Sequence, residues 1–226
     1  MENRKQLSND DINDILGECK RTLEEYINPY INKKVEPINE HIYVVFPDDD
    51  VYIELINQKA RGVCHTEDGY IYFRNEVNLT AHLLIHEFVH RLSRNRKFVI
   101  KMLSWRLVEG VDYPRDCLNY LNEVITEMIT SDITGSEEPD NPYTLGLDLM
   151  RQFANKVGKH NMINAYFEGD IRFFKKRLGK YYKLFVYNCF NLIDCYIKAL
   201  SLNGDKSTMQ QALEAGRVLK SIIDII

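Results

Sequence analysis

The sequence predicts an α+β protein in which a small mixed sheet packs on two long helices and a mostly helical part follows. β-Prone runs occur only in the first third of the chain, and helical periodicity dominates the remainder. The 226 residues, 45% of them hydrophobic and 27% charged, are enough to bury a substantial core. We assign the sheet and both long helices to residues 1–135, and a helical C-terminal part of the same compact unit to residues 136–226.

The first predicted elements follow from the local pattern of apolar and acidic residues. Residues 8–30 carry the apolar stripe of one amphipathic helix, with Asp10 or Asp11 as the expected cap. The apolar run at residues 41–47 predicts a buried strand. An acidic start then predicts a helix over residues 48–60, because carboxylates are favourable near the positive end of the helix dipole.

Two β-prone stretches around a turn signal predict a hairpin. Asp68-Gly69 is typical of a tight turn, and we expect strands over Gly62–Thr66 and Tyr70–Arg74. The next helix begins after Asn78 or Thr80, either of which is a suitable N-cap residue.

The second long helix is predicted over residues 115–135, after a less regular stretch at residues 97–114. The stretch SEEPDNP (residues 136–142) is a loop in this interpretation. From Tyr143 onward the pattern is helical, and the expected breaks lie at glycines. These breaks are near Gly158, Gly169, Gly179 and Gly204.

Composition excludes several classes of protein. The polar start is unlike a secretory signal peptide, and no apolar run is long enough to span a membrane. A net charge of −4 gives no overall basic footprint for nucleic acid. Five scattered cysteines without CxxC spacing indicate reduced thiols and a cytoplasmic protein, with export by a signal-independent route left open.

One segment differs in charge from the chain as a whole, which is acidic. Residues 172–183, RFFKKRLGKYYK, are basic and aromatic. We interpret them as a helix with a charged solvent face and aromatic core contacts, and contact with an anionic membrane or nucleic acid is the alternative.

The stretch LIHEFVHRL, residues 84–92, carries the most specific chemical pattern. His86 and His90 are four residues apart, so in a helix both imidazoles lie on one face and can bind one zinc ion. Glu87 lies about 100° further round the helix, where its carboxylate can act as general base toward water rather than as a ligand. His82 shares the face of the two histidines, and we interpret it as a packing residue or as one that supports the ligands.

A catalytic zinc needs a third protein ligand and one open position. The extension HExxHxxGxxH is absent, because RLSRNRKF follows His90. In the second long helix Asn119, Glu123 and Glu127 recur every four residues and so share one face. Two carboxylates on a half-buried face need a positive partner, either zinc or a basic side chain, unless they face water.

The pair HEFVH and NEVITE resembles the gluzincin metallopeptidases, in which HExxH on one helix is completed by a glutamate on a later helix. The resemblance covers residues 61–132 and implies a zincin-like fold with one zinc ion per chain. It implies His86, His90 and Glu123 as zinc ligands and Glu87 as general base, with Glu127 and Asn119 supporting the ligands.

The same resemblance implies how substrate binds. The outer hairpin strand, represented by Gly62, Val63, Cys64 and His65, would pair with an extended peptide or protein substrate. The residue that stabilises the transition state is not set by a motif. Tyr143, His160 and Tyr166 are the candidates, and we favour Tyr143.

The expected function is therefore zinc-dependent hydrolysis of peptide bonds. The alternative is a zincin-like binding or regulatory protein without catalytic activity. A helical protein that binds a membrane or nucleic acid and carries HExxH by chance is a third possibility.

Overall fold

The structure is a computed structural model that describes residues 4–30, 41–57, 60–65, 69–93, 117–138, 141–201 and 205–226, with the backbone alone for residues 117–119. The chain forms two compact units, residues 1–94 with 130–136, and residues 95–129 with 137–226. The fold is mixed α+β and mostly helical, as predicted.

Within the described residues, the first unit contains four strands, four complete helices and the last turn of a fifth helix. The strands are β1 (Arg4–Gln6), β2 (Ile42–Val45), β3 (Gly62–Cys64) and β4 (Ile71–Arg74). The helices are α1 (Asn9–Leu16), α2 (Cys19–Ile27), α3 (Asp50–Asn57), α4 (Ala81–Ser93) and α5 (Cys117–Thr134).

The sheet has the order β1-β2-β4-β3. β1 is antiparallel to β2, β2 is parallel to β4, and β3 is antiparallel to β4. The predicted hairpin and the mixed character of the sheet are therefore confirmed. The predicted turn residue Asp68 lies outside the described residues.

Helices pack on both faces of the sheet. Tyr72 of β4 packs with Val45 and with Leu55 of α3, and all three side chains are buried. Side chains alternate along a strand, so Ile71 and Phe73 point to the opposite face. Both are fully buried, and α4 lies against β3 and β4.

The N-terminal region differs from the prediction in two respects. Residues 8–30 form two helices rather than one, because Gly17 ends α1 with a φ of 49°. The cap of α1 is Ser8 and not Asp10 or Asp11. The Ser8 hydroxyl accepts from the Asp11 N–H at 3.1 Å, and the Asp11 carboxylate accepts from the Ser8 N–H at 3.0 Å.

Strand β1 was not predicted; it pairs with β2, and an ion pair adds to this pairing. Arg4 Nε donates to Asp49 Oδ2 at 2.9 Å, and the Arg4 guanidinium lies 5.5 Å from the centre of the Tyr72 ring. Asp49 is only 3% exposed and also accepts from the Val51 N–H at 2.9 Å, which caps α3. The acidic stretch is thus a helix start, as predicted.

The second unit is helical. It contains most of α5, α6 (Leu147–Val157), α7 (Lys159–Glu168), α8 (Ile171–Leu178), α9 (Tyr182–Ser201) and α10 (Lys206–Ile225), with 3-10 helices at Pro142–Gly146 and Gly179–Tyr181. The predicted breaks at Gly158, Gly169 and Gly179 are confirmed. The break near Gly204 falls outside the described residues.

None of the helices in the described ranges combines the length and apolar character needed to cross a membrane.

Candidate metal centre

Helix α4 places the HExxH residues on a buried scaffold. Of the two predicted caps, Thr80 is the one that acts, since its hydroxyl accepts from the Leu83 N–H at 3.2 Å. Ile85 and Val89 are fully buried. A helix held on this apolar row fixes the direction in which its polar side chains point.

The two histidines of the motif converge. The Nε2 atoms of His86 and His90 lie 3.2 Å apart. Two nitrogens at about 2.05 Å from a tetrahedral zinc ion are about 3.3 Å apart, so this separation fits two ligands of one zinc. His86 is 8% exposed, and Glu87, the adjacent carboxylate, is 7% exposed.

A third donor belongs to the same group. One ligand atom from each of His86, His90 and Glu123 lies within 4.8 Å of the others, a set that could hold a metal ion. Two imidazole nitrogens with one carboxylate oxygen form a donor set that zinc accepts, and a fourth position remains for water or substrate. The chemistry of the three side chains therefore fits the metal that the sequence predicts.

His82 has a different role, as the sequence analysis expected. Its Nδ1 lies 3.3 Å from the Thr134 hydroxyl in the last turn of α5. In the same turn Asp132 Oδ2 accepts from the Tyr26 hydroxyl at 2.9 Å. Burial, together with the Asp132 carboxylate, raises the pKa of Tyr26 far above its ordinary value, so Tyr26 keeps the proton that it donates. These contacts hold the last turn of α5 against α4 and α2.

Helix α5 presents a row of side chains formed by Tyr120, Glu123 and Glu127, which recur at helical spacing. Glu123 is half-buried, whereas Glu127 is fully buried. The apolar side of the helix is buried and contains Leu121, Val124, Ile125, Met128 and Ile129. The Asn119 side chain lies outside the described part of the structure.

Asn141 is a site residue that the sequence analysis missed. Its amide nitrogen donates to Glu127 Oε2 at 2.7 Å, and its amide oxygen accepts from the Tyr143 N–H at 3.0 Å. The Asn-Pro pair at the start of a 3-10 helix was the available signal, since asparagine caps such ends and proline suits the first position.

The segment from Asn141 to Tyr143 runs beside the Glu123 row. Asn141 contacts Glu127, and the Tyr143 ring lies 6.3 Å from the Tyr120 ring at an angle of 66°. Tyr120 and Glu127 are on either side of Glu123 along α5. The segment therefore contacts the residues of this row on either side of Glu123.

The other two candidates for transition-state stabilisation are placed differently. The Tyr166 hydroxyl lies 2.6 Å from the Thr126 hydroxyl, and both residues are buried. His160 is exposed on the first turn of α7. Tyr143 packs on Tyr120, in the row that contains Glu123.

Strand β3, the predicted substrate strand, forms one edge of the sheet as far as the described residues extend. Hydrogen bonds join Arg74 N to Arg61 O at 3.2 Å and His65 N to Tyr70 O at 2.8 Å. Alternation along an antiparallel pair then turns the backbone N–H and C=O of Gly62 and Cys64 away from β4, and those of Val63 toward it. The strand keeps the geometry that addition of another strand requires.

Gly62 is required by packing rather than by backbone conformation. A Cβ atom there would lie 2.5 Å from two atoms of the Phe73 ring. Because Phe73 is fully buried, its ring has no room to move away.

Comparisons with models of protein families, with curated proteins and with solved structures found no match. The interpretation of the site therefore depends on the residues of this chain and their geometry.

We predict that Asn141→Ala lowers the free energy of unfolding by about 1–3 kcal/mol, because the variant removes a donor from a fully buried carboxylate. Asn188→Ala is the matched control. Asn188 is also a buried asparagine, but its amide donates to the neutral Leu184 carbonyl at 2.7 Å, and its loss should cost about 1 kcal/mol. Urea unfolding of both variants checks this. Equal costs would contradict the dependence of Glu127 on Asn141.

Proposed function

We propose that this protein is a zinc-dependent peptidase of the gluzincin type that hydrolyses peptide bonds in an extended peptide or protein. The grouping of His86, His90 and Glu123 is the observation that carries the proposal. The buried Glu87 beside His86 supports it, since this is the position that the general base of an HExxH site occupies.

In this proposal one zinc ion is held by His86, His90 and Glu123. When bound, it supplies a Lewis acid that polarises the peptide carbonyl and makes water acidic enough to attack near neutral pH. Glu127 and the Asn119 position support the ligands, as the resemblance implies. Glu127 is itself positioned by the Asn141 amide.

Glu87 is the proposed general base. Its carboxylate accepts a proton from the attacking water and passes that proton to the nitrogen of the leaving amine. Burial of Glu87 limits the access of bulk water, so the carboxylate remains available to the reacting water.

Tyr143 is the proposed stabiliser of the tetrahedral transition state. Its place beside Tyr120, and the bond from its N–H to Asn141, support this role. A phenol O–H aimed at the developing oxyanion would stabilise it by donating a hydrogen bond.

Substrate is proposed to pair with β3 through Gly62, Val63, Cys64 and His65. The edge position of β3 supports this binding mode. We propose action in the cytoplasm, and the four cysteines that the structure describes form no disulfide.

Glu87→Gln should retain one zinc per chain and lose hydrolysis by about a hundredfold or more, because the ligands are unchanged and only the base is removed. Metal analysis of the purified variant and cleavage of a peptide library measure both properties. Wild-type protein that binds one zinc but cleaves nothing would favour the alternative of a zincin-like binding protein. A variant as active as wild type would contradict the mechanism.

Glu123→Ala should lose zinc at stoichiometric metal concentration, whereas Glu127→Ala should keep it with about 10–100-fold weaker affinity or activity. The difference follows because loss of a ligand is more costly than loss of a group that orients a ligand. Titration with a zinc-competing chelator measures both affinities, and circular dichroism controls for folding. Retention of zinc by Glu123→Ala with loss in Glu127→Ala would reverse the assignment.

Cys64→Pro should raise KM by about three- to tenfold with unchanged zinc content, because it removes an N–H directed away from β4. Val63→Pro is the matched control: its N–H faces β4, so this variant should instead lower the thermal stability. Peptide cleavage kinetics and thermal unfolding separate the two effects. An unchanged KM in a folded Cys64→Pro protein would count against substrate pairing with β3.

A further inference from the structure

The most basic surface of the described residues lies on α8, the following 3-10 helix and the start of α9. Its six cations fall within twelve residues, and no acidic residue occurs between Asp170 and Asp194. The cations of this basic surface are Arg172, Lys175, Lys176, Arg177, Lys180 and Lys183. This concentration contrasts with the net charge of −4 of the whole chain.

Packing separates the cations of this surface from the core. Phe174 and Leu178 of α8 and Tyr182 and Phe185 of α9 are buried. Lys176, Arg177, Lys180 and Lys183 are exposed. Burial in the core thus explains the aromatic residues of this segment. The cations form a concentrated positive charge on its solvent-exposed side.

Several of these cations lie over aromatic rings. The guanidinium of Arg177 is 5.5 Å from the centre of the Phe173 ring, and the ammonium of Lys180 is 5.1 Å from that of Tyr181. Arg172 differs, because its Nε donates to Asp170 at 3.0 Å. The ring contacts hold Arg177 and Lys180 close to the protein surface while keeping their charge.

Exposed apolar side chains continue the basic surface. Leu184 is 46% exposed and Tyr187 is 41% exposed. They lie three residues apart in the first turns of α9, so they project from one face of the helix, next to the exposed Lys183. Leucine and tyrosine beside a row of cations are the composition of helices that lie at a membrane interface.

We infer that the basic surface binds the anionic lipid headgroups of a membrane surface, with Leu184 and Tyr187 reaching the boundary of the acyl chains. Each basic residue near such a surface contributes about fivefold to binding. Single-stranded nucleic acid fits less well, because it needs open aromatic faces for stacking. Here Phe174 and Tyr182 are buried, and Arg177 and Lys180 lie over Phe173 and Tyr181.

Co-sedimentation of the full chain with vesicles tests this inference independently of any peptidase activity. Vesicles of phosphatidylcholine with phosphatidylglycerol should bind the protein at about 0.05 M salt and release most of it at about 0.3 M salt. Vesicles of phosphatidylcholine alone should not bind it. Absence of binding to the anionic vesicles at low salt would overturn the inference, as would tighter binding of single-stranded RNA under the same conditions.

Matched variants locate the interaction. Lys176→Gln with Arg177→Gln should weaken binding on the order of thirtyfold, about fivefold for each cation. Arg217→Gln with Lys220→Gln changes the net charge equally, at exposed positions of α10, and should leave binding within about twofold of wild type. Equal losses in the two double variants would mean attraction by overall charge and would overturn the assignment to this surface.

A variant that keeps every charge tests the apolar contribution. Leu184→Ser with Tyr187→Ser should also weaken binding to anionic vesicles, because less apolar area enters the membrane. Both side chains are exposed, so the fold should tolerate the change, which circular dichroism verifies. Binding equal to that of wild type would overturn the part of the inference that places these two residues in the membrane.

Discussion

The need to satisfy buried ionisable side chains governs the arrangement of this protein. Glu127 is fully buried, and Glu87 and His86 are nearly so. A carboxylate removed from water is costly unless a donor or a cation compensates it. For Glu127 the Asn141 amide is one such donor, at 2.7 Å. One ligand atom from each of His86, His90 and Glu123 lies within 4.8 Å of the others, so a bound cation would compensate three polar groups at once.

Rigid placement of these groups comes from their neighbours in the fold. The apolar row of Ile85 and Val89 fixes α4, and the bond between His82 and Thr134 holds the last turn of α5 to it. In the second unit, the Asn141–Tyr143 segment packs along α5 on both sides of Glu123. Each of these sets of contacts fixes side chains within its own unit, which is what a metal ligand or a catalytic group requires.

The sequence predicted those elements whose patterns are long and local. The HExxH helix, the glutamate helix and the hairpin all have clear periodicity or turn signals, and the structure contains them. Strand β1 was missed because Arg-Lys-Gln is polar and exposed, and because its partners, β2 and Asp49, are distant in sequence. The prediction of one helix over residues 8–30 was wrong, because a glycine within an amphipathic stripe is compatible with either a continuous helix or a break. Asn141 was missed because its partner Glu127 is distant in sequence.

Helical spacing alone does not distinguish Glu123 from Glu127 as the third ligand, since both lie on one row of α5. Their surroundings do distinguish them. One oxygen of Glu127 already accepts from Asn141, and the side chain has no exposed surface through which an ion could enter. Glu123 is half-buried, and its backbone is held within the helix. A ligand of the proposed zinc ion would need a fixed position beside an open coordination site, and the half-buried Glu123 suits this better than the fully buried Glu127. The resemblance to gluzincins and the physical environment of the two carboxylates therefore favour the same residue for independent reasons.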